Sequence, residues 1–150
     1  MAQILMVEDD AMLLATYTRL LTRAGHHVTG VGLAAEMRAS LAAGPVDVVI
    51  TDLALPDSPD PTRHLAEIAQ LAPGASILVL TGHPTVDSAV AAVEQRAFRY
   101  LVKPVEIDTL LSAVQAAADA GGNPVVARRK LDEAMKSLWF AWQPIVDWGK

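Results

Sequence analysis

The sequence contains no cysteine among its 150 residues. Disulfide bonds and thiolate metal sites are therefore excluded, and nothing in the composition marks a secreted protein. Aromatic residues make up only 5% of the chain. Basic residues are also few: 12 lysines and arginines compare with 17 aspartates and glutamates, which gives a formal net charge of -5. Nucleic acid is disfavoured as a direct ligand, because phosphate binding requires a basic face. A cation or a basic partner is expected instead.

Long apolar runs are also missing. No stretch approaches the roughly 20 apolar residues that a membrane-spanning helix needs, and the N-terminus lacks the charge pattern of a signal peptide. We therefore expect a cytoplasmic protein without a membrane partner. The hydrophobic share of 52% over 150 residues is enough for one ordinary core and a short extension.

Short apolar runs alternate with amphipathic segments over residues 1–120. The runs predict β-strands at 4–7, 27–31, 46–51, 77–81 and 99–102. Several are almost continuous in valine, isoleucine and leucine, which is typical of a parallel sheet covered on both faces. Between the last two runs, helical spacing places Val86, Ala89, Val90 and Val93 on one apolar face. The pattern predicts an α/β domain of alternating strands and helices.

Polar residues end or directly follow four of these runs: Glu8, Asp9, Asp10, Asp52, Thr81 and Lys103. Each has a structural reading, since Asp52 could form a turn, Thr81 could be a strand residue and Lys103 a solvated strand end. Asp10 suits a helix N-cap in either case. Ligands of open parallel sheets bind outside the carboxyl ends of the strands. The joint occurrence of these residues at that edge favours a functional site.

Four stretches together resemble the receiver domain of two-component response regulators: VEDD, ITDLALP, LVLTG and YLVKP. The resemblance spans residues 1–120 and implies a flavodoxin-like (βα)5 fold, a doubly wound parallel sheet with strand order 2-1-3-4-5. It also implies that a sensor histidine kinase or phosphotransfer protein passes a phosphoryl group to Asp52. Such a domain is a signalling module with at most autophosphorylation from small phosphodonors and autodephosphorylation, and not a metabolic enzyme.

The resemblance assigns the acidic residues to a hard divalent cation, Mg²⁺ or Mn²⁺. Asp9 would bind the ion directly and Glu8 through water. Asp52 and the main-chain carbonyl of Ala54 would complete the protein ligands. The acids after the first strand would then be tolerated because they hold a metal.

The resemblance also assigns the remaining residues of the strand ends. Lys103 would pair with a phosphoryl oxygen, and Thr81 would donate a hydrogen bond to another. Phosphorylation would draw Thr81 inward and let Tyr100 turn, which would switch the face formed by the fourth helix, the fifth strand and the fifth helix. The alternative for Tyr100 is simple packing.

Two features fit the resemblance less closely. In the loop LALPDSPDPTRH the family usually has a proline and then a glycine. Here Pro56 is kept, but the residues that follow are Asp57, Ser58, Pro59, Asp60 and Pro61, and the extra acids could alter metal affinity or kinase docking. The stretch EQRAFRY lacks the family's glycine before the small and aromatic pair, which predicts an altered helix C-terminus. We interpret His64 and His83 as a helix-surface and a loop residue, since phosphoryl transfer needs no histidine at the site.

The last thirty residues differ in character from the rest of the chain. Residues 121–127 begin with GGNP and predict a linker, and residues 128–150 hold all three tryptophans. The stretch LDEAMKSLWFAWQPIVDW resembles the first helix and strand of an EAL domain, the family that hydrolyses cyclic di-GMP. We interpret 128–150 as the truncated start of such an output domain, which would add a C-terminal helical extension to the receiver. A helix packed on its own receiver or a homodimer contact is the alternative.

The sequence thus supports a phosphoacceptor receiver that regulates a C-terminal EAL domain in a longer protein. The Glu-Ala-Leu motif and the metal-binding acids of that family are missing, so this chain cannot be a cyclic di-GMP phosphodiesterase by itself. The alternative is a docking or dimerisation module with the receiver fold that works without phosphorylation. A small α/β enzyme or flavin binder is disfavoured, because there is no glycine-rich phosphate loop, Walker pattern or nucleophile elbow.

Overall fold

The computed structural model describes residues 2–120, which form alternating strands and helices. The strands are β1 (Gln3–Val7), β2 (His27–Val31), β3 (Val48–Thr51), β4 (Ser76–Thr81) and β5 (Arg99–Val102). The helices are α1 (Ala11–Arg23), α2 (Ala34–Ala43), α3 (Pro61–Leu71), α4 (Val86–Glu94) and α5 (Ile107–Asp119). The predicted linker, the EAL-like start and the helical extension lie outside the described residues. Within residues 2–120, every helix falls short of the length and apolar character needed to cross a membrane.

The strands form one parallel sheet in the order β2-β1-β3-β4-β5, which confirms the predicted fold. β3 and β4 are buried along their whole length, as expected for central strands that are covered on both faces. One core cluster joins the sheet to α2, α3 and α4, and a second joins it to α1 and α5. The carboxyl ends of all strands therefore meet at one edge.

Aspartate side chains cap the N-termini of three of the helices. Asp10 and Asp60 are the N-caps of α1 and α3 and accept backbone N–H groups of the first turn, as their positions predict. The N-cap of α2, Leu33, has no such side chain, and Asp57 from the β3–α3 loop replaces it. Its carboxylate accepts the N–H groups of Ala34 and Ala35 at 2.8 and 3.0 Å. These two backbone hydrogen bonds hold the pKa of Asp57 below its ordinary value, so both extra acids of this loop are engaged at helix N-termini.

The structure corrects one expectation for helix α4, the single apolar face that the sequence predicted. Its predicted apolar face is divided, because Ala89 is buried whereas Val86, Val90 and Val93 are exposed. The helix instead packs through small residues: Ser88, Ala89, Ala91 and Ala92. Small side chains let the helix backbone lie close to α3 and to the core cluster, and the larger valines are left on the outside. Exposed Val102 on β5 and Ile107 on α5 add to the apolar residues of this side of the domain.

The C-terminus of α4 adopts the conformation that glycine usually provides. Arg96 has φ 57°, and the N–H groups of Arg96 and Ala97 bond to the carbonyls of Val93 and Ala92 at 3.0 and 2.9 Å. This pattern is a Schellman motif with an arginine in the left-handed position. The missing glycine is thus replaced without loss of the motif, at the cost of backbone strain.

We expect Arg96→Gly to raise the free energy of unfolding by about 1 kcal/mol, because glycine adopts the left-handed region without steric strain. Arg96 is exposed, so little packing is lost. Urea unfolding of the two proteins measures the difference. Arg96→Ala is the matched control: it removes the same side chain but keeps the Cβ, and it should give no comparable gain. Equal stabilities of the glycine and alanine variants would contradict the explanation.

Candidate phosphoacceptor and metal site

Two buried carboxylates meet at the carboxyl edge of the sheet because β1 and β3 are paired in register. Val7 pairs with Thr51, so the residues that follow, Glu8 and Asp52, are neighbours. The N–H of Asp52 donates to the carbonyl of Val7 at 2.9 Å, which fixes the chain where β3 ends. Glu8 is 1% exposed and Asp52 4% exposed. Two acids at this depth require a cation.

Lys103 supplies a positive charge between them. Its Nζ lies 2.7 Å from Glu8 Oε2 and 2.7 Å from Asp52 Oδ2. The lysine reaches the site because its own N–H bonds to the carbonyl of Thr81 at 2.8 Å, which extends the β4–β5 pairing by one residue. The other carboxylate oxygen of Asp52, Oδ1, accepts the N–H of Ala54 at 3.0 Å. The structure thus brings Glu8, Asp52 and Lys103 into direct contact.

Burial and neighbouring charges shift the pKa values of Glu8, Asp52 and Lys103, and the two effects combine differently for each group. Burial raises the pKa of Glu8; the hydrogen bond from Lys103 opposes this rise and the Asp52 carboxylate adds to it, so the pKa lies above its ordinary value. For Asp52, burial also acts to raise the pKa, but the hydrogen bonds from Lys103 and the Ala54 N–H outweigh it, and the pKa lies below its ordinary value. Burial acts to lower the pKa of Lys103, yet the two carboxylates raise it overall. Asp52 is therefore an ionised carboxylate beside a permanent ammonium group.

Asp9 completes an acidic cluster with Glu8 and Asp52. Each of the three offers a carboxylate oxygen, and these oxygens all lie within 4.8 Å of one another. Asp9 is exposed, and among residues 2–120 no donor bonds to its carboxylate. Oxygen-only ligands with an open side towards solvent suit a hard cation such as Mg²⁺, which keeps several waters. The residues fit the metal, while the part assigned to the Ala54 carbonyl stays a prediction.

Thr81 and Tyr100 occupy the positions expected from their strands. Thr81 is buried at the end of β4, and its Oγ1 accepts the N–H of His83 at 3.1 Å. Tyr100 lies in the core cluster of α2, α3 and α4, away from the carboxyl edge where Lys103 lies. Its hydroxyl is 2.5 Å from Ser88 Oγ on α4. Tyr100 therefore has a specific polar partner in this structure in addition to its packing.

His64 is not on the helix surface, so that prediction was wrong. Its side chain is fully buried, and its Nε2 lies 2.7 Å from Oγ1 of Thr51, the residue directly before Asp52. Burial lowers the pKa of His64, which keeps the ring neutral. His64 precedes Leu65 by one residue and Ile68 by four, so it belongs to the apolar stripe of α3. That spacing would have indicated burial.

Sequence reasoning also missed Ser88 and Asp57. Ser88 follows Thr85 by three residues and completes a capping box, in which the two residues exchange bonds with each other's backbone N–H. This signal was readable, but its use by Tyr100 was not. Asp57 caps a helix that lies 23 residues earlier in the chain. No local pattern could have revealed such a contact.

The buried neutral histidine predicts a pH dependence of stability. Because burial lowers the pKa of folded His64 below the ordinary value of 6.5, the unfolded chain takes up a proton that the folded chain refuses. Above pH 6.5 the neutral His64 makes its full contribution to the free energy of unfolding. This contribution is lost as the pH falls, by up to about 1.4 kcal/mol per pH unit.

Urea unfolding at about pH 7.5 and about pH 5.5 tests this expectation. The wild type should lose more stability between the two than His64→Leu, by up to about 1.4 kcal/mol. The other titrating groups, including His26, whose pKa burial also lowers, remain in both proteins and cancel in the comparison. An equal loss in both would contradict the assignment of a neutral buried His64.

Comparison with known proteins identifies the class to which this fold and site belong. Residues 4–115 match the family model described as "Response regulator receiver domain". The chain belongs to this family and is a receiver domain of a two-component response regulator, a signalling domain.

Individual relatives agree with the family assignment. The DNA-binding transcriptional regulator NtrC of Azospirillum brasilense is 32% identical over 137 residues, which cover 91% of this chain and 28% of that protein. The signal receiver domain of an HD domain-containing protein from Pseudomonas fluorescens Pf-5 is 31% identical, with a TM-score of 0.73 and coverage of 77% of this chain and 93% of that one. A response regulator from Thermotoga maritima, crystallised in complex with Mg²⁺-BeF, shares the fold at 24% identity, with a TM-score of 0.69 and coverage of 78% and 99%. The chain spans 26% to 28% of the length of the first curated relatives it matches.

Proposed function

We propose that this receiver domain accepts a phosphoryl group on Asp52 from a sensor histidine kinase or a phosphotransfer protein in the cytoplasm. The observation that carries the proposal is the contact of buried, ionised Asp52 with Lys103 beside the cluster of Glu8 and Asp9. A carboxylate with a lowered pKa is a nucleophile at neutral pH. The ammonium group is already placed where negative charge would accumulate.

The chain's own residues account for the steps of the transfer. Asp52 Oδ would attack the phosphorus atom in line with the departing imidazole nitrogen of the donor, forming an aspartyl phosphate. Lys103 would leave Asp52 and contact a phosphoryl oxygen, and the Thr81 hydroxyl would donate a hydrogen bond to another phosphoryl oxygen. The same Asp52 acyl phosphate would later be hydrolysed, which returns the free carboxylate.

A divalent cation fits the acidic cluster. When bound, Mg²⁺, or Mn²⁺ in its place, would neutralise the negative charge that develops on the phosphoryl oxygens. Asp9 would bind it directly, Glu8 through water, and Asp52 and the Ala54 carbonyl would complete the protein ligands. The Mg²⁺-BeF complex of the Thermotoga maritima relative supports this choice of metal.

Intact-mass analysis after incubation with acetyl phosphate and Mg²⁺ tests the proposal. We expect one phosphate adduct, which is absent from Asp52→Asn and from a chelated sample. Absence of an adduct under conditions that label an ordinary receiver would favour the alternative, a docking or dimerisation module that works without phosphorylation. The exposed apolar residues of α4, β5 and α5 are compatible with a homodimer in either case.

We further propose that Tyr100 is the switch residue and that Ser88 holds it in the resting position. Ser88 Oγ donates to the Thr85 carbonyl at 3.0 Å, so the Tyr100 hydroxyl donates to Ser88. Once phosphorylation draws Thr81 towards the phosphoryl group, Tyr100 could turn into the space behind it. The face of α4, β5 and α5 would then present a different surface.

Ser88→Ala should shift the resting equilibrium of Tyr100 towards the turned state by about fivefold, since one net hydrogen bond of about 1 kcal/mol is lost. Incorporation of 3-fluorotyrosine and ¹⁹F NMR would show it. Tyr17 is the only other tyrosine and serves as an internal control that should not move. A Tyr100 resonance that is unchanged in Ser88→Ala would contradict the role of Ser88.

The output domain is the least constrained part of the proposal. Residues 128–150 support an EAL domain through their resemblance to its first helix and strand. The second candidate is a DNA-binding output, because the match to NtrC covers 137 residues of this chain and must extend past Ala120. Sequencing the encoding gene beyond Lys150 distinguishes them. A Glu-Ala-Leu motif with metal-binding acids downstream would support cyclic di-GMP hydrolysis, and its absence would defeat it.

A further inference from the structure

His64 is a buried polar residue that the proposed chemistry does not use. It lies on α3 with no solvent exposure, yet one of its ring nitrogens contacts the residue before the phosphoacceptor, Thr51. The second nitrogen, Nδ1, is buried without a hydrogen-bond partner among the described residues. An apolar side chain at this position would leave no polar atom unsatisfied. A buried group of this kind calls for a physical reason.

The directions of the hydrogen bonds can be worked out from the protons available. Thr51 Oγ1 has one proton, which it donates to the carbonyl oxygen of Asp52 at 2.8 Å. The bond of 2.7 Å between His64 and Thr51 must then be donated by His64 Nε2–H. A directed chain of bonds therefore runs from His64 through the Thr51 hydroxyl to the Asp52 carbonyl.

The carbonyl at the end of this chain belongs to the peptide that follows the phosphoacceptor. Because a peptide unit is planar, holding the carbonyl of Asp52 also fixes the direction of the Leu53 N–H in the same plane. The next backbone donor along the chain, the Ala54 N–H, bonds to Asp52 Oδ1 at 3.0 Å. The orientation of the Asp52–Leu53 peptide therefore sets how the chain presents that N–H to the carboxylate that would carry the phosphoryl group. On its other side Asp52 is held by the bond from its N–H to the Val7 carbonyl.

We propose that His64 is a positioning residue that acts through Thr51 to orient the peptide between Asp52 and Leu53 for phosphoryl transfer. This inference rests on the proposed function of Asp52. It assigns to His64 no contact with the phosphoryl group and no part in proton transfer. The imidazole serves as a fixed donor, and α3 carries it because the apolar stripe of that helix faces the end of β3.

Two pairs of variants test the inference. His64→Leu and Thr51→Val each remove the polar link with similar volume, whereas His64→Gln and Thr51→Ser keep it, since the Gln amide nitrogen is as many bonds from Cα as His Nε2. The readouts are the maximal rate of Mg²⁺-dependent labelling by acetyl phosphate, the donor concentration at half-maximal rate, and the chemical shift of the Leu53 amide proton.

We expect His64→Leu to lower the maximal rate by about tenfold, as small misplacements of a reacting group do, with the half-saturating concentration little changed. His64→Gln should restore most of the rate and the Leu53 shift. Addition of Thr51→Val to His64→Leu should cost little more, because both remove the same link.

Other outcomes overturn the inference. A folded His64→Leu protein that is labelled at the wild-type rate would show that His64 only packs, and so would additive effects of the two substitutions. If His64→Leu fails to fold, Thr51→Val alone decides by the same rate. The wild type separates this inference from the proposed function: an unlabelled wild type defeats both, whereas a labelled wild type with an equally labelled variant defeats the role of His64 alone.

Discussion

Lys103→Ala should destabilise the metal-free protein by about 3 kcal/mol, because it leaves the buried carboxylates of Glu8 and Asp52 facing each other without a cation. The same variant should bind Mg²⁺ more tightly than the wild type, since the ion no longer competes with an ammonium group that contacts both acids. Labelling by acetyl phosphate should nevertheless fall by about 100-fold, as for loss of one preorganised charge donor.

These opposite changes separate the two roles of the lysine. Urea unfolding with and without Mg²⁺ gives the first two quantities, and the rate of adduct formation gives the third. Arg19→Ala removes one positive charge from an exposed position in α1 and serves as the control. A Lys103→Ala protein with unchanged Mg²⁺ affinity would show that Lys103 does not compete for the acidic cluster.

Asp9→Asn should weaken Mg²⁺ binding by at least about tenfold. Loss of even an outer-sphere partner of a metal costs about tenfold or more in affinity, and a direct ligand should cost at least as much. The free energy of unfolding should change little, because the Asp9 carboxylate is exposed. Isothermal titration with Mg²⁺ measures the loss.

The adjacent acid offers a closely matched control. Asp10→Asn removes the same charge one residue away but keeps an N-cap oxygen for the N–H groups of Met12 and Leu13. It should bind Mg²⁺ nearly as well as the wild type. Equal losses in the two variants would mean that only the summed charge of the acidic run matters, and that Asp9 is not a ligand.

The site was readable from the sequence because it follows from topology. In a parallel sheet the residues after consecutive strands come to one edge whatever the helices between them do, so Asp52 and Lys103 could be placed together from strand ends alone. The caps Asp10 and Asp60 were also predictable, because a cap acts on its own helix within three residues. The contact of Lys103 with both acids then required only an electrostatic argument.

What could not be predicted depends on packing between distant elements. The burial of Ser88 and the exposure of Val86 depend on how α4 packs against α3 and the core, which hydrophobic periodicity does not measure. His64 was misplaced because its residue type outweighed its position in the apolar stripe of α3. Asp57 caps α2 from a turn in which the Ser58 N–H bonds to the Leu55 carbonyl at 3.2 Å. The turn itself has a local pattern, but its contact with α2 depends on the path of the loop across the surface.

The central claim is that Asp52 itself carries the phosphoryl group. The most direct measurement is to label the wild-type chain with acetyl phosphate and Mg²⁺, reduce the product with borohydride, and locate the modified residue by tandem mass spectrometry. An acyl phosphate on aspartate is converted to homoserine, so we expect homoserine at position 52 and at no other aspartate. Reduction at another acid, or no reduction in a chain that binds Mg²⁺, would contradict the account.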